Sequence, residues 1–378
     1  MQSIRSRPMR LPVFILAAAF LVSAATEAVA QIVGLAAGSK HSLALFEDGT
    51  VMAWGGNDFG QLGDASYDDR EAPVSVAGLG NARAIAAGAE HSFAVLEDGR
   101  VMSWGGNEFG LLGDGGTSDR TSPVPVSGLE NVTQVVSGAF HAVALLEDGT
   151  LMSWGLNHLG HLGDGTGQDR VLPGSVPGLS DVRAIASGYD HTLALRSDGS
   201  VWAWGNNDRG QLGDGSREPQ ATPVPVSGLT DVRAIAAGRG HSMALLTDGT
   251  IVAWGFNIRE RATGTGEELS APTAIPGIAG AVGLAAGRGH SFAIMESDVL
   301  AWGFNPVGQL GDGTTHGRSQ PEPVLGLGQA VQLAAGVDHA LALLPDGKIV
   351  AWGGNRFGQL GDGTTIDRSA ATIVSGLP

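Results

Sequence analysis

Arg233-Ala-Ile-Ala-Ala-Gly-Arg-Gly-His-Ser-Met-Ala-Leu-Leu-Thr-Asp-Gly-Thr-Ile-Val-Ala-Trp-Gly255 holds three short apolar runs separated by two breaks. The runs are Arg233 to Ala237, His241 to Leu246 and Ile251 to Trp254. Gly238 opens the first break, and Asp248-Gly249 forms the second, a strong hairpin signal because Asp accepts backbone hydrogen bonds and Gly supplies positive φ. Three antiparallel strands follow from this spacing. The runs do not alternate apolar with polar: Val51-Met52-Ala53-Trp54 and Ile85-Ala86-Ala87 are apolar on both sides, so both sheet faces must be covered. A Gly/Asp-rich loop comes after each Trp, and then an extended segment such as Pro223-Val224-Pro225-Val226, where proline suits only an edge strand. The unit therefore has four short strands.

The same unit recurs along the chain. A Trp-Gly step stands at Trp54, Trp104, Trp154, Trp204, Trp254, Trp302 and Trp352, and a histidine keeps pace at His41, His91, His141, His191, His241, His290 and His339. Seven units of about 50 residues fill positions 31–378 and leave no room for a second domain. Four-stranded sheets stacked radially cover each other's faces, and the Ala-rich strand suits the crowded position nearest the axis. The sequence predicts an all-β fold, a seven-bladed β-propeller with four antiparallel strands per blade. A parallel β-helix would need a shorter period. The repeat begins on an inner strand at Ile32 and ends on an outer one near Ile373, so blade 7 is predicted to be complete and the ring to close by packing of blade 7 on blade 1.

The residues before the first unit read differently. Arg5, Arg7 and Arg10 precede the apolar run Leu11 to Val22, and Ala28-Val29-Ala30 supplies a small-residue cleavage pattern. Positions 1–30 are expected to be a signal peptide, and the mature protein secreted or periplasmic. The run is too short for a stable membrane span.

Composition narrows the function. Of 378 residues 60 are glycine, which excludes a helical solenoid, while 43% hydrophobic residues allow a large core. The net charge of −16 repels phosphate backbones, so nucleic acid is not an expected partner. The absence of cysteine removes disulfides, thiolate metal sites and cysteine nucleophiles.

Gly-x-x-His-Ser-x-Ala-Leu, Asp-Gly, Ala-Trp-Gly-x-Asn and Gly-Gln-Leu-Gly-Asp-Gly recur in fixed order, the last complete at 210–215, 308–313 and 358–363. Together these motifs resemble the repeat of the regulator of chromosome condensation family. The resemblance covers 31–378 and implies the same seven-bladed propeller. Nuclear members of that family exchange guanine nucleotide on a small GTPase. A second resemblance is to the propeller-type β-lactamase inhibitor, which shares the Ala-Trp-Gly and His-Ser-Leu-Ala-Leu repeat but has shorter units.

No motif demands catalysis, a cofactor or a metal. Equivalent histidines on adjacent blades stand roughly 10 Å apart, too far to share a zinc ion, and are expected to hydrogen-bond neighbouring loops. His158 and His161 share one loop, a weak metal signal. The Asp residues of the Gly-Asp-Gly loops lack calcium-loop spacing. Neighbours such as His41 and Ser42 point to opposite strand faces, so they form no nucleophile and base pair.

The copies differ most in the two residues before each histidine and around the asparagine of Trp-Gly-x-Asn, both on what is predicted to be the upper face. A constant scaffold with a variable rim suits a binding protein. Phe140, Tyr189, Phe256 and Phe304 are off-motif aromatics there, beside Arg209, Arg239, Arg259 and Arg288. Phe59, Phe109 and Phe357 share a recurring position and are read as structural. The expectation is a monomeric, non-enzymatic binding propeller whose basic island takes a protein or anionic surface. Blade 5 departs from its siblings at 260–265, Glu-Arg-Ala-Thr-Gly-Thr, and a differently folded loop is expected there.

Overall fold

A computed structural model describes residues 31–256 and 269–378. It contains seven four-stranded antiparallel sheets, each built from consecutive strands. In blade 1 these are Ile32–Ala37, His41–Phe46, Val51–Gly55 and Arg70–Ser75. The tight hairpin after the second strand follows the predicted chemistry, with Asp48 Oδ1 accepting from the Thr50 amide at 2.9 Å. The outer strands carry the Pro residues and pair only partly, with a register irregularity after Ala53 in blade 1 and at the equivalent place in every other blade. The expected leader at 1–30 and the unusual blade 5 loop lie outside the described residues. No helix among the described residues is long and apolar enough to cross a membrane.

The core lies between blades rather than within one. Each cluster joins the second and third strands of one blade to the motif Trp of the next, as where Leu43, Leu45, Val51 and Ala53 meet Trp104. All seven motif tryptophans are fully buried. The glycine of the preceding loop makes room for the indole: Gly63 has φ +68°, and a Cβ there would lie 2.8 Å from Trp104.

Polar bonds cross the same seams. Trp104 Nε1 donates to the Gln61 carbonyl at 2.9 Å, Ser92 Oγ donates to the same carbonyl at 2.9 Å, and His41 Nε2 meets that Ser92 hydroxyl at 2.9 Å. Because the serine proton is committed to the carbonyl, the imidazole is the donor, and His41 carries its proton on Nε2. The histidine was expected to bond neighbouring loops; its partner is instead a hydroxyl on the second strand of the next blade.

Six of the seven seams have this histidine bond in some form. His91 faces Ala142, which has no hydroxyl, and bonds Ser137 on the inner strand instead. His141 uses Thr192, His191 uses Ser242, His241 uses Ser291 and His339 uses Ser42. His290 faces Ala340, and Ala335 stands where blade 3 has Ser137, so neither ring nitrogen has a partner. Replacing Ala340 by Ser should restore the bond and stabilise the protein by about 1 kcal/mol. The check is thermal unfolding of Ala340→Ser against Ala142→Ser, where the histidine is already satisfied and no gain is expected.

Closure follows the sequence expectation. Blade 7 is complete with Gln332–Ala335, His339–Leu343, Ile349–Gly353 and Arg368–Ile373, and Ile32–Ala37 pairs within blade 1. Trp54 and Ile32 pack on Leu341, Ile349 and Leu360 of blade 7. Trp54 Nε1 donates to the Gln359 carbonyl at 2.9 Å, and Ser42 Oγ does so at 2.8 Å. The closing seam thus has the same bonds as the seam between blades 1 and 2.

The long loops are held by their own side chains. Asn57 donates from Nδ2 to Asp64 and accepts the Leu62 amide, and Arg70 clamps the same Asp64 at 2.7 Å. The pattern repeats with Arg120 on Asp114, Arg170 on Asp164, Arg318 on Asp312 and Arg368 on Asp362. Although burial opposes ionisation of Asp64, hydrogen bonds from Ser66 and Arg70 hold its carboxyl below the usual range. These aspartates bind the loop's own arginine.

Candidate functional site

The seven inner strands surround an axial channel of about 110 Å³ lined by Ala or Ser, then Gly, from each blade. At its upper mouth the next residue changes around the ring: Ser39, Ala89, Ala139, Tyr189, Arg239, Arg288 and Val337. Small side chains edge blades 1 to 3, and large polar ones edge blades 4 to 6. One residue further out stand Lys40, Glu90, Phe140, Asp190, Gly240, Gly289 and Asp338.

The structure joins several of the expected site residues. Arg239 lies over the Tyr189 ring at 4.9 Å, and Tyr189 meets Phe140 edge-on with ring centroids 6.0 Å apart. Phe109 extends this row, edge-on to Phe140 at 6.0 Å. Phe109 was read as structural from its recurring position, but its backbone sits at φ 63°, where its counterparts Phe59 and Phe357 do not. Arg209 lies over Phe256 at 5.5 Å, forming a separate pair. Phe304 is half-buried at the start of the blade 6 loop. Arg259 lies outside the described residues.

The charge of this face differs from the expected basic island. Arg288 stands 3.9 Å from Asp338, and Asp190 lies beside Arg239. Burial pushes the Asp190 and Asp338 carboxyls up, and the nearby arginines offset only part of that shift. On the other side of the mouth burial likewise raises Glu90, beside Lys40. Alternating charge, with the arginines set against half-buried acids, replaces the island. Arg239 itself is exposed and makes no ion pair among the described residues.

Variation is not confined to the upper face. On the lower inner rim, Arg83 and Arg183 donate to the Val132 and Val232 carbonyls of the next blade. The equivalent residues of blades 6, 7 and 1 are exposed Val282, Val331 and Val33.

His158 and His161 come together in the blade 3 loop, with ring centroids 5.0 Å apart. His161 is buried and stacks on His141 at 5.4 Å, and burial lowers its pKa to about 4. Among the described residues no group of three or more His, Asp or Glu side chains is placed to hold a metal ion.

The RCC1-like domain model matches residues 21–283, and the RCC1 repeat matches again over 296–343 and 330–359. The chain belongs to the RCC1-like family. A curated relative, RCC1 domain-containing protein RUG3, mitochondrial, of Arabidopsis thaliana, is 36% identical over 55 residues, which is 15% of this chain and 12% of that protein. The solved structure of human WBSCR16 superposes with a TM-score of 0.76 at 25% identity, covering 84% of this chain and 87% of that one. Prp20p of Saccharomyces cerevisiae, described with its binding to Gsp1p and histones, gives 0.77 at 23% identity over 92% and 88% of the two chains.

These relatives correct the expected location. RUG3 is named as mitochondrial and the yeast propeller is described with Gsp1p and histones, so the relatives count against the expected secreted or periplasmic location. RCC1-like propellers bind proteins, and the fold is generally non-catalytic.

Proposed function

We propose that this chain is a non-enzymatic protein-binding propeller that holds its partner on the upper face, at the mouth sector of blades 3 to 6. The observation that supports this reading is the row Phe109, Phe140, Tyr189 and Arg239, in which an exposed guanidinium is stacked on an aromatic ring instead of paired with an acid. Aromatic rings with arginine are the usual anchors of protein interfaces. Arg239 keeps its donors for a partner carboxylate, and Tyr189 supplies rigid contact area at its edge. Arg209, which lies over Phe256 and 4.0 Å from Asp208, adds a second arginine–aromatic contact to this face.

The test is affinity capture with the wild type and with Arg239→Glu combined with Arg288→Glu. A Glu147→Lys variant on the lower turns serves as the control. Proteins retained by the wild type and the control should bind the double variant more than about tenfold more weakly, with unchanged unfolding temperature. Equal retention by all three would remove the upper sector from consideration. The yeast relative's binding to Gsp1p motivates one further arm. Faster guanine-nucleotide release from a small GTPase would replace simple binding with exchange.

A further inference from the structure

In the Gly-Gln-Leu-Gly loops the glutamine folds back on its own loop, as where Gln61, Gln211, Gln309 and Gln359 accept the amides of Phe59, Arg209, Val307 and Phe357. Blade 3 has His161 at this position and gives that bond up. Blade 2 has Leu111 there, so this site accepts an apolar side chain. His161 instead brings two ring nitrogens into a place that is 1% exposed; the Leu156 backbone lies near the ring, but neither nitrogen makes a well-formed hydrogen bond. Buried polar atoms left without partners call for an explanation such as an absent ion.

Two further ligand groups border the same place. Asp190 Oδ1 lies 3.8 Å from His161 Nε2, and the exposed His158 ring is centred 5.0 Å from that of His161. Ligand atoms bound to a tetrahedral zinc at about 2.0–2.2 Å stand roughly 3.4 Å apart. The His161 and Asp190 atoms are close to that separation already. We propose that His161, Asp190 and His158 bind one Zn²⁺ ion beside the channel mouth. His161 and Asp190 form the preset pair, and His158 completes the set by turning its exposed side chain inward. Imidazole and carboxylate suit zinc without any cysteine, and three protein ligands leave a fourth position open to water or a partner's side chain.

His161→Gln is the decisive variant because it installs the residue that four other blades use at this position, so the fold is retained. Tag-free, metal-stripped protein should take up about one zinc per chain by calorimetry and by elemental analysis after dialysis. His161→Gln and Asp190→Asn should each weaken that uptake by about tenfold or more, and zinc should raise the unfolding temperature of the wild type alone. No stoichiometric uptake by the wild type, or uptake that survives in either variant, overturns the proposal.

Discussion

Lowering the pH from 6.5 toward about 4 should unfold this propeller in a steep transition that consumes several protons. Burial lowers the pKa of His41, His91, His191, His241 and His290 to about 3 and that of His339 to about 4, while His141 falls well below its ordinary value. The seam geometry gives the reason: in six of the seven seams Nε2 already meets a hydroxyl, a proton on Nδ1 would be buried without an acceptor, and at His290 neither nitrogen has a partner to receive a charge. A depressed pKa means that the unfolded chain binds these protons first, so stability is complete above pH 6.5 and is lost as the pH falls. Each histidine removes up to about 1.4 kcal/mol per pH unit, and seven acting together exceed the whole stability of a typical domain within about two units. Asp190, Asp338 and Glu90 act in the opposite direction, because burial raises them, but they are three half-exposed groups. The arginine-clamped Asp64, Asp114, Asp164 and Asp362 lose their stabilisation only below their ordinary value of 3.8. Tryptophan fluorescence against pH checks this, since every motif indole is buried. Undiminished thermal stability at pH 4 would disprove it.

The propeller was legible because a period of 50 residues is hard to satisfy otherwise, and because Asp-Gly turns and two-sided apolar strands fix the sheet locally. The seam bonds were not legible. His41 finds Ser92 across 51 positions, and no local pattern tells which hydroxyl faces which imidazole. The gap at His290 could be read only once the partner position was known to be Ala340. In the candidate site, the off-motif Tyr189, Phe140 and Arg239 were recognised as departures from the repeat, and they do meet in space. Phe109 was missed for the opposite reason: it sits at a position where phenylalanine recurs, and only its left-handed backbone distinguishes it. The basic island does not form because Asp190 and Asp338 occupy the variable position that holds Phe140 in blade 3, and their carboxyls lie beside Arg239 and Arg288.

Trp54→Ala should be the most damaging substitution among the motif tryptophans, because it falls on the seam with no covalent connection. Removing a fully buried Trp costs about 3–5 kcal/mol through lost burial and the cavity left behind. Trp204 is equally buried and donates to the His161 carbonyl at 2.9 Å, so the direct loss at the seam between blades 3 and 4 should be similar. The consequence differs, since there the chain itself still holds the two blades together at high effective concentration. At the closing seam only side-chain and backbone contacts between blades 7 and 1 oppose separation, and Trp54 is central to them. Trp54→Ala should therefore open the ring locally before global unfolding, exposing Ile32–Ala37 on one side and the second strand of blade 7, His339–Leu343, on the other. Native-state hydrogen exchange distinguishes the two cases. Faster exchange in those two segments is expected for Trp54→Ala and not for Trp204→Ala. Identical exchange profiles in the two variants would mean that the closing seam is no weaker than the linked ones, and that the ring behaves as if it had no ends.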